Sequence, residues 1–126
     1  MIYEQHLLGS SEKSVALAVV AGTHRFYVHG PSGMAWTISA CWASVGVAPT
    51  GAAIIMDINK NGTTIFTTQA NRPTIPISGF DSGRVTNMDV TALVDGDYFT
   101  ADIDQIGSTV VGQDLLVFIE LKSTGP

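Results

Sequence analysis

Apolar and polar residues alternate one by one along most of this chain, and this period of two is the feature that most constrains its fold. Successive side chains of a β-strand point to opposite faces, whereas a helix would scatter the same residues around its axis. No segment shows a clear period of 3.6 residues. The pattern therefore predicts an all-β protein.

The predicted strands are short and are separated by turns rich in Gly, Pro and Asn. Eight or nine such strands at fairly regular intervals are typical of a β-sandwich or a β-barrel in a single domain. The predicted strands cover residues 14–20, 23–29, 36–47, 53–60, 63–68, 72–77, 85–91, 98–106 and 115–121.

Asn61 and Gly62 give the strongest local signal. They separate the strand-like runs AIIMDINK and TTIFTT, and Asn-Gly in that position favours the type I′ turn of a β-hairpin. Both turn positions need a positive φ, which Asn tolerates and Gly adopts freely. The pair predicts a tight hairpin.

The charge of the chain excludes several classes of protein. Six Lys and Arg residues oppose eleven Asp and Glu residues, for a net charge of −5, which argues against nucleic-acid binding. No apolar run approaches the roughly 18 residues of a membrane span, and the N-terminal residues lack the basic start of a signal peptide. We therefore predict no membrane insertion and no secretion. Cys41 is the only cysteine, so no intrachain disulfide can form.

The residue types that usually carry acid–base or metal chemistry form no recognisable site. His24 and His29 differ by five positions in one predicted strand and so point to opposite faces, and His6 lies far from both. Cys41 has no cationic neighbour in sequence, which favours a buried, inert thiol over a nucleophile. Motifs of the GxSxG, HExxH, P-loop and GxGxxG types are missing. We predict no catalytic residues, no cofactor and no enzymatic activity.

Four aspartates form the one cluster of side chains that could also be interpreted as a cation site. Asp95 and Asp97 flank the turn residue Gly96, and Asp102 and Asp104 share one face of a predicted strand. Cations such as Ca²⁺ take several oxygen ligands, although the spacing is not that of an EF-hand loop. A cation site and a solubilising face beside a turn both stay open, and we favour the second interpretation.

Trp36 and Trp42 fall on one face of the predicted strand 36–47, together with Ile38 and Ala40. A stripe of this kind is more typical of a protein core than of an exposed platform that stacks on sugar rings. We predict a core stripe and keep the sugar platform as the alternative.

Several segments of the chain resemble a stretch that recurs in bacteriophage virion proteins. The longest is APTGAAIIMDINKNGTTIF, residues 48–66. The resemblance continues in order through residues 72–75, 95–100, 102–109 and 112–115, and together the segments cover roughly residues 36–121.

The resemblance implies a jelly-roll β-sandwich, usually a homotrimer, of the type found in tail-fibre tips, baseplates and capsid decoration proteins. It implies that Pro49, Gly51, Asn61 and Gly62 shape a hairpin and that Gly96 shapes a turn, without chemistry of their own. We expect residues 14–126 to form the sandwich. We expect residues 1–13 to be an arm that lies on a partner, or the lead-in to the first strand.

Two functions follow from these expectations. The first is a non-enzymatic structural protein of the virion, a small homotrimer attached to capsid or tail proteins. Its low content of charge, 13% of residues, fits because packed copies cover neutral surface. The second is a host-adhesion module that binds a cell-surface glycan through loops at one end of the sandwich, with candidates at residues 30–33, 78–84 and 107–113. Both place the protein, made in the host cytoplasm, in the virion.

Overall fold

The computed structural model describes residues 3–10, 16–30 and 35–123. Within them the chain forms nine β-strands and one 3₁₀ turn at Gln69–Asn71. The strands are β1 (Tyr3–Ser10), β2 (Phe26–Tyr27), β3 (Trp36–Ser44), β4 (Ile54–Lys60), β5 (Thr63–Thr64), β6 (Thr74–Ile75), β7 (Ala92–Leu93), β8 (Tyr98–Gln105) and β9 (Leu116–Ser123).

The strands form two antiparallel sheets that pack face to face. The first sheet has the order β1-β9-β3-β7, and the second has the order β2-β8-β4-β5 with β6 also paired to β4. The chain crosses from one sheet to the other at most of its connections, so neighbours within a sheet are distant in sequence. This order is that of a jelly roll. The predicted class, an all-β sandwich of about nine strands in one small domain, is confirmed.

The core lies between the sheets and is built from the inward residues of the long strands. Cys41 and Ala43 of β3 lie opposite Ile119 and Val117 of β9, and all four are essentially inaccessible to solvent. The second sheet contributes a matching apolar layer against them. Its fully buried members are Ile54, Met56, Ile58, Ile75 and Phe99.

The predicted hairpin at Asn61 and Gly62 is confirmed. Asn61 has φ 52° and Gly62 has φ 85°, and the flanking pair Lys60 and Thr63 closes a two-residue loop. Positive φ at both positions is the signature of the type I′ turn, whose twist matches that of the strands.

The N-terminal segment that we set apart from the sandwich contributes one of its strands. Residues 3–10 form β1, which pairs with β9 along its whole length. The remaining residues of 1–13 lie outside the described part of the chain. Residues 3–10 are thus neither a separate arm nor only a lead-in, because they are themselves a strand of the sandwich.

Several predicted strands are shorter than their alternation suggested, or are not strands. Of 63–68 only Thr63–Thr64 is a strand, and of 72–77 only Thr74–Ile75 is one. Of 14–20, the described part makes only single bridges at Ala16 and Val20, because it crosses between the sheets. Of 23–29, only Phe26–Tyr27 is a strand. Residues 85–91 run along the edge of β3 with one bridge, from Val85 to Cys41. A crossing segment keeps one side against the core, so it retains the period of two without a ladder of hydrogen bonds.

Candidate functional site

The prediction that Trp36 and Trp42 share a core stripe is wrong, because β3 contains a bulge at Ser39. Ile38 lies opposite Leu121 and Ala40 lies opposite Glu120, so Ser39 has no partner in the register. One extra residue moves every following side chain to the other face. After the bulge the inward positions are those of Cys41 and Ala43, and Trp42 points out of the sandwich.

Trp42 belongs to an apolar row on the outer face of the first sheet. At its centre Phe118 of β9 lies directly opposite Leu7 of β1 on one side and Trp42 of β3 on the other. The Trp42 and Phe118 rings are 5.7 Å apart between centroids and 19° from parallel. Leu7 is 47% exposed, and Leu116, two positions before Phe118, is 39% exposed. We call these four side chains the apolar row.

A buried carboxylate lies beside the apolar row on the same face. Glu120 is 4% exposed, and the Arg84 guanidinium donates to both of its oxygens, at 2.9 Å from Nη1 and 2.6 Å from Nη2. The Ser39 hydroxyl donates at 2.7 Å and the Gln5 side-chain amide at 3.1 Å. These hydrogen bonds, Arg84 first, lower the pKa of Glu120 to about 2 although desolvation opposes them. The carboxylate therefore stays ionised, and the Arg84 guanidinium on the same face of the sheet balances its charge.

Arg84 reaches Glu120 from the long connection between β6 and β7. Ser82 anchors that connection to β3: its N–H donates to the Ala43 carbonyl, and its hydroxyl accepts from the Ala43 N–H at 2.9 Å. The connection and the sheet enclose a shallow depression of about 270 Å³ lined by Gln5, Trp42, Asp81, Gly83 and Arg84. The outer face thus combines two exposed leucines and two half-buried aromatic rings with the ion pair of Glu120 and Arg84.

A second group of exposed rings lies on the outer face of the second sheet, at its β2 edge. Tyr27 lies directly opposite Tyr98, with ring centroids 5.3 Å apart. The Arg25 guanidinium lies over the Tyr98 ring, 4.4 Å from its centroid, and donates to the Tyr27 hydroxyl at 3.0 Å. The His29 ring is 7° from parallel to the Tyr27 ring, at 6.3 Å between centroids. We call Arg25, Tyr27, His29 and Tyr98 the ring cluster.

The four clustered aspartates do not converge on a common point. Asp95 accepts from the Gly30 N–H and lies 3.5 Å from His29. Asp97 is buried; desolvation raises its pKa, but hydrogen bonds from Asn61 and the Val94 N–H and the charge of Lys60 leave it lowered overall.

Asp102 and Asp104 are engaged elsewhere on β8. Asp102 accepts from the Gly22 N–H and the Asn59 side chain, and Asp104 forms an ion pair with Arg72 at 2.8 Å. Across the described ranges, no three His, Cys, Asp or Glu side chains are grouped so that they could hold a metal ion.

The loops that we expected at one end of the sandwich lie at different ends. Gly30 binds Asp95 beside the turn that contains Gly96 (φ 90°) and close to the Asn61–Gly62 hairpin. Residues 107–113 pack instead against the turn at Pro49 and Gly51, where the Val110 and Thr50 backbones pair. Residues 78–84 start there and continue along β3. Residues 31–33 lie outside the described residues.

Cys41, His6 and His24 are the remaining polar candidates. Cys41 is fully buried, and desolvation, with a smaller contribution from Asp57, raises the pKa of its thiol to about 12. His6 packs against the Phe26 ring at 4.9 Å. A cavity of about 430 Å³ opens between the sheets, but its lining is apolar apart from His24 and Thr23, with Leu8, Leu17 and Met56 among its walls.

No family model matches the chain, and comparison with curated proteins and with solved structures found no match. The structure forms no helix, over the residues it describes, of the length and apolarity needed to cross a membrane.

Proposed function

We propose that this protein is a non-enzymatic structural component of a bacteriophage virion, a small homotrimeric jelly roll attached to the capsid surface or the tail. The observation that carries the proposal is the apolar row, which places Leu7, Trp42, Phe118 and Leu116 on the outer face of the first sheet, with Leu7 47% and Leu116 39% exposed.

Self-association is the simplest use of such a face. Exposed aromatic rings in the centre of a patch supply most of the energy of typical protein interfaces, and Trp is among the residues most enriched there. Copies related by a closed rotation can bury the same row at the symmetry axis. Because Glu120 is already paired with Arg84, bringing copies together does not bury this carboxylate without a partner.

A virion role fits the rest of the molecule. The resemblance to phage virion proteins implies a homotrimer, and the jelly-roll order of the strands agrees with the fold that the resemblance implies. Multivalent attachment of a trimer strengthens weak single contacts, because the second and third contacts become effectively intramolecular. Partner proteins of the capsid or tail would then hold the assembly on the particle.

The first experiment measures the mass of the purified protein by multi-angle light scattering. We expect three times the chain mass of 13.3 kDa. Trp42→Gln and Leu7→Gln should shift the protein towards monomer while circular dichroism stays that of the wild type. The matched control is Val94→Gln, which replaces an apolar residue that is 69% exposed outside the row, and it should leave the trimer intact. A wild-type monomer at micromolar concentration would overturn the proposal.

Gold or antibody labelling of intact particles addresses the place of attachment. Labels spread over the capsid support decoration, and labels at one vertex or on the tail support a tail component. Particles without label would contradict a virion role, whatever the oligomeric state.

The second candidate function is adhesion to a host-surface glycan. It is favoured by the ring cluster, because exposed tyrosine rings beside polar side chains are suited to the apolar faces and hydroxyl groups of sugars. The cluster, on the second sheet, takes the place of the loops considered from the sequence. A glycan array with the trimer tests this function, and the lack of any bound glycan would count against it.

A further inference from the structure

Arg25 differs from the other arginines in its electrostatic environment. Arg72 pairs with Asp104 and Arg84 pairs with Glu120. Arg25, in contrast, contacts only the two tyrosines among the residues that the structure describes, and no carboxylate. In a chain of net charge −5, an exposed guanidinium that has no acidic partner in the described part of the chain is available to an anion from outside.

The guanidinium is held in one place by the tyrosines. It lies over the Tyr98 ring, and one of its terminal nitrogens donates a hydrogen bond to the Tyr27 hydroxyl. Contact with an aromatic face orients the planar group, and its remaining N–H donors match the two oxygens of a carboxylate. Less conformational entropy is lost on binding when the donor is already oriented.

The same cluster offers an apolar surface next to this donor. Tyr27 is 46% exposed, and its ring is nearly parallel to that of His29. A pyranose ring has one face of C–H groups that can lie on an aromatic ring, with hydroxyls at its rim. Asp95, which is 3.5 Å from His29 and whose side chain is 69% exposed, is an acceptor for those hydroxyls.

We propose that the ring cluster binds a saccharide unit that carries a carboxylate, such as a hexuronic acid, with the sugar ring on Tyr27 and the carboxylate on Arg25. The inference rests on the second function above, glycan adhesion, and names its ligand class. It is independent of assembly, because the apolar row and the ring cluster lie on the outer faces of different sheets. A single carboxylate suits this site better than a polyphosphate, which the net negative charge of the chain would repel.

The test is a titration of the full-length protein with three small probes at constant ionic strength. Binding is measured from the NMR chemical shifts of the Tyr27 and Tyr98 rings. The probes are D-glucuronate, D-glucose and acetate. We expect D-glucuronate to bind about tenfold more tightly than either of the others, because only it engages both the ring and the guanidinium.

Variants separate the two contributions. Arg25→Gln should reduce D-glucuronate binding to the level of D-glucose, and Tyr27→Ala should reduce it to the level of acetate. Arg72→Gln is the matched control, since it removes an arginine that already has a carboxylate partner, Asp104 of β8, and it should bind D-glucuronate like the wild type. Unchanged circular dichroism shows that each variant is folded.

Each outcome has a distinct meaning. Equal binding of D-glucose and D-glucuronate overturns the acidic class and leaves glycan adhesion standing. Equal binding of acetate and D-glucuronate shows a simple anion site and overturns the saccharide. If none of the probes binds, both this inference and adhesion at the ring cluster are overturned, while the structural role is unaffected.

Discussion

Arg84 holds Glu120 through both terminal nitrogens, at 2.9 and 2.6 Å, on the outer face of a β-sheet. The two residues are 36 positions apart, so the ion pair fastens the β6–β7 connection to the centre of the first sheet. Only 4% of Glu120 is exposed, whereas half of the Arg84 side chain is. The carboxylate is thus the buried partner and the guanidinium covers it.

We expect this ion pair to make stability depend on pH in the acidic range. The pKa of Glu120 is about 2 in the folded protein against an ordinary value of 4.5. Because the folded value is lower, the stabilisation is complete above about pH 4.5 and is lost as the pH falls towards 2. Glu120→Gln should cost about 1–2 kcal/mol near neutral pH, and its deficit should shrink over that window in urea titrations.

The control for this pH effect is Asp104→Asn, which removes an ion pair with Arg72 whose carboxylate is more exposed than that of Glu120, at 32% against 5% of the side chain. It should cost less than about 1 kcal/mol. A deficit for Glu120→Gln that stays constant from pH 7 to 2 would contradict the assignment.

Cys41 should not react with thiol reagents in the native protein. Its side chain is fully buried and its thiol pKa is raised to about 12. Near neutral pH the reagent therefore cannot reach the sulfur, and the thiol is not ionised to the reactive thiolate. Labelling should begin only as urea unfolds the protein. Cys41→Ser should be less stable than Cys41→Ala by about 1–2 kcal/mol, since it buries a hydroxyl in an apolar site. Rapid labelling of the native protein would show the burial to be wrong.

Gly62→Ala should destabilise the hairpin between β4 and β5. Gly62 has φ 85°, and an L-residue with a Cβ pays about 1–2 kcal/mol in the left-handed region. Thr63→Ala, at the neighbouring exposed position, is the control and should change the free energy of unfolding by less than about 0.5 kcal/mol. Equal effects of the two substitutions in thermal unfolding would argue against the strained turn.

Millimolar Ca²⁺ should raise the melting temperature by less than about 1 °C. The four clustered aspartates do not converge on one point, so they offer the ion no shared site through which its binding would stabilise the folded state. Asp95, Asp97, Asp102 and Asp104 each have separate hydrogen-bond or ion-pair partners. Mg²⁺ at the same ionic strength is the control. A rise of several degrees that is specific to Ca²⁺ would return these aspartates to consideration as a cation site.

The fold class could be predicted because alternation is a local property of the sequence. The strands β4, β8 and β9 and the Asn61–Gly62 turn lie where pattern and turn chemistry placed them. The bulge at Ser39 could not be predicted in the same way, because Ala, Ser and Cys differ little in apolar character and the register is decided by pairing with β9. That one residue determines on which side Trp42 lies.

The two candidate surfaces depend on contacts between distant parts of the chain. Leu7, Trp42 and Phe118 meet only once β1, β3 and β9 are neighbours, and no local pattern joins them. The ring cluster had a partial signal in the aromatic and basic run of residues 23–29, but its pairing with Tyr98 follows from the order of the strands in the second sheet. Burial of Cys41 was predicted from its neighbours, and that prediction is confirmed.

The pairing of β1 with β9 has a consequence for how the protein is made. Within the described residues β1 forms its ladder with β9 alone, and the paired residues Gln5 and Glu120 are 115 positions apart. β9 also separates β1 from β3. On the ribosome the first sheet therefore cannot close until β9 has left the exit tunnel, and most pairings have to wait for a distant segment, which makes folding slow compared with helical proteins of this size. Until then a newly made chain would expose Leu7 and the inner faces of the strands already synthesised, so yield on expression should depend on how quickly synthesis of β9 follows that of β1.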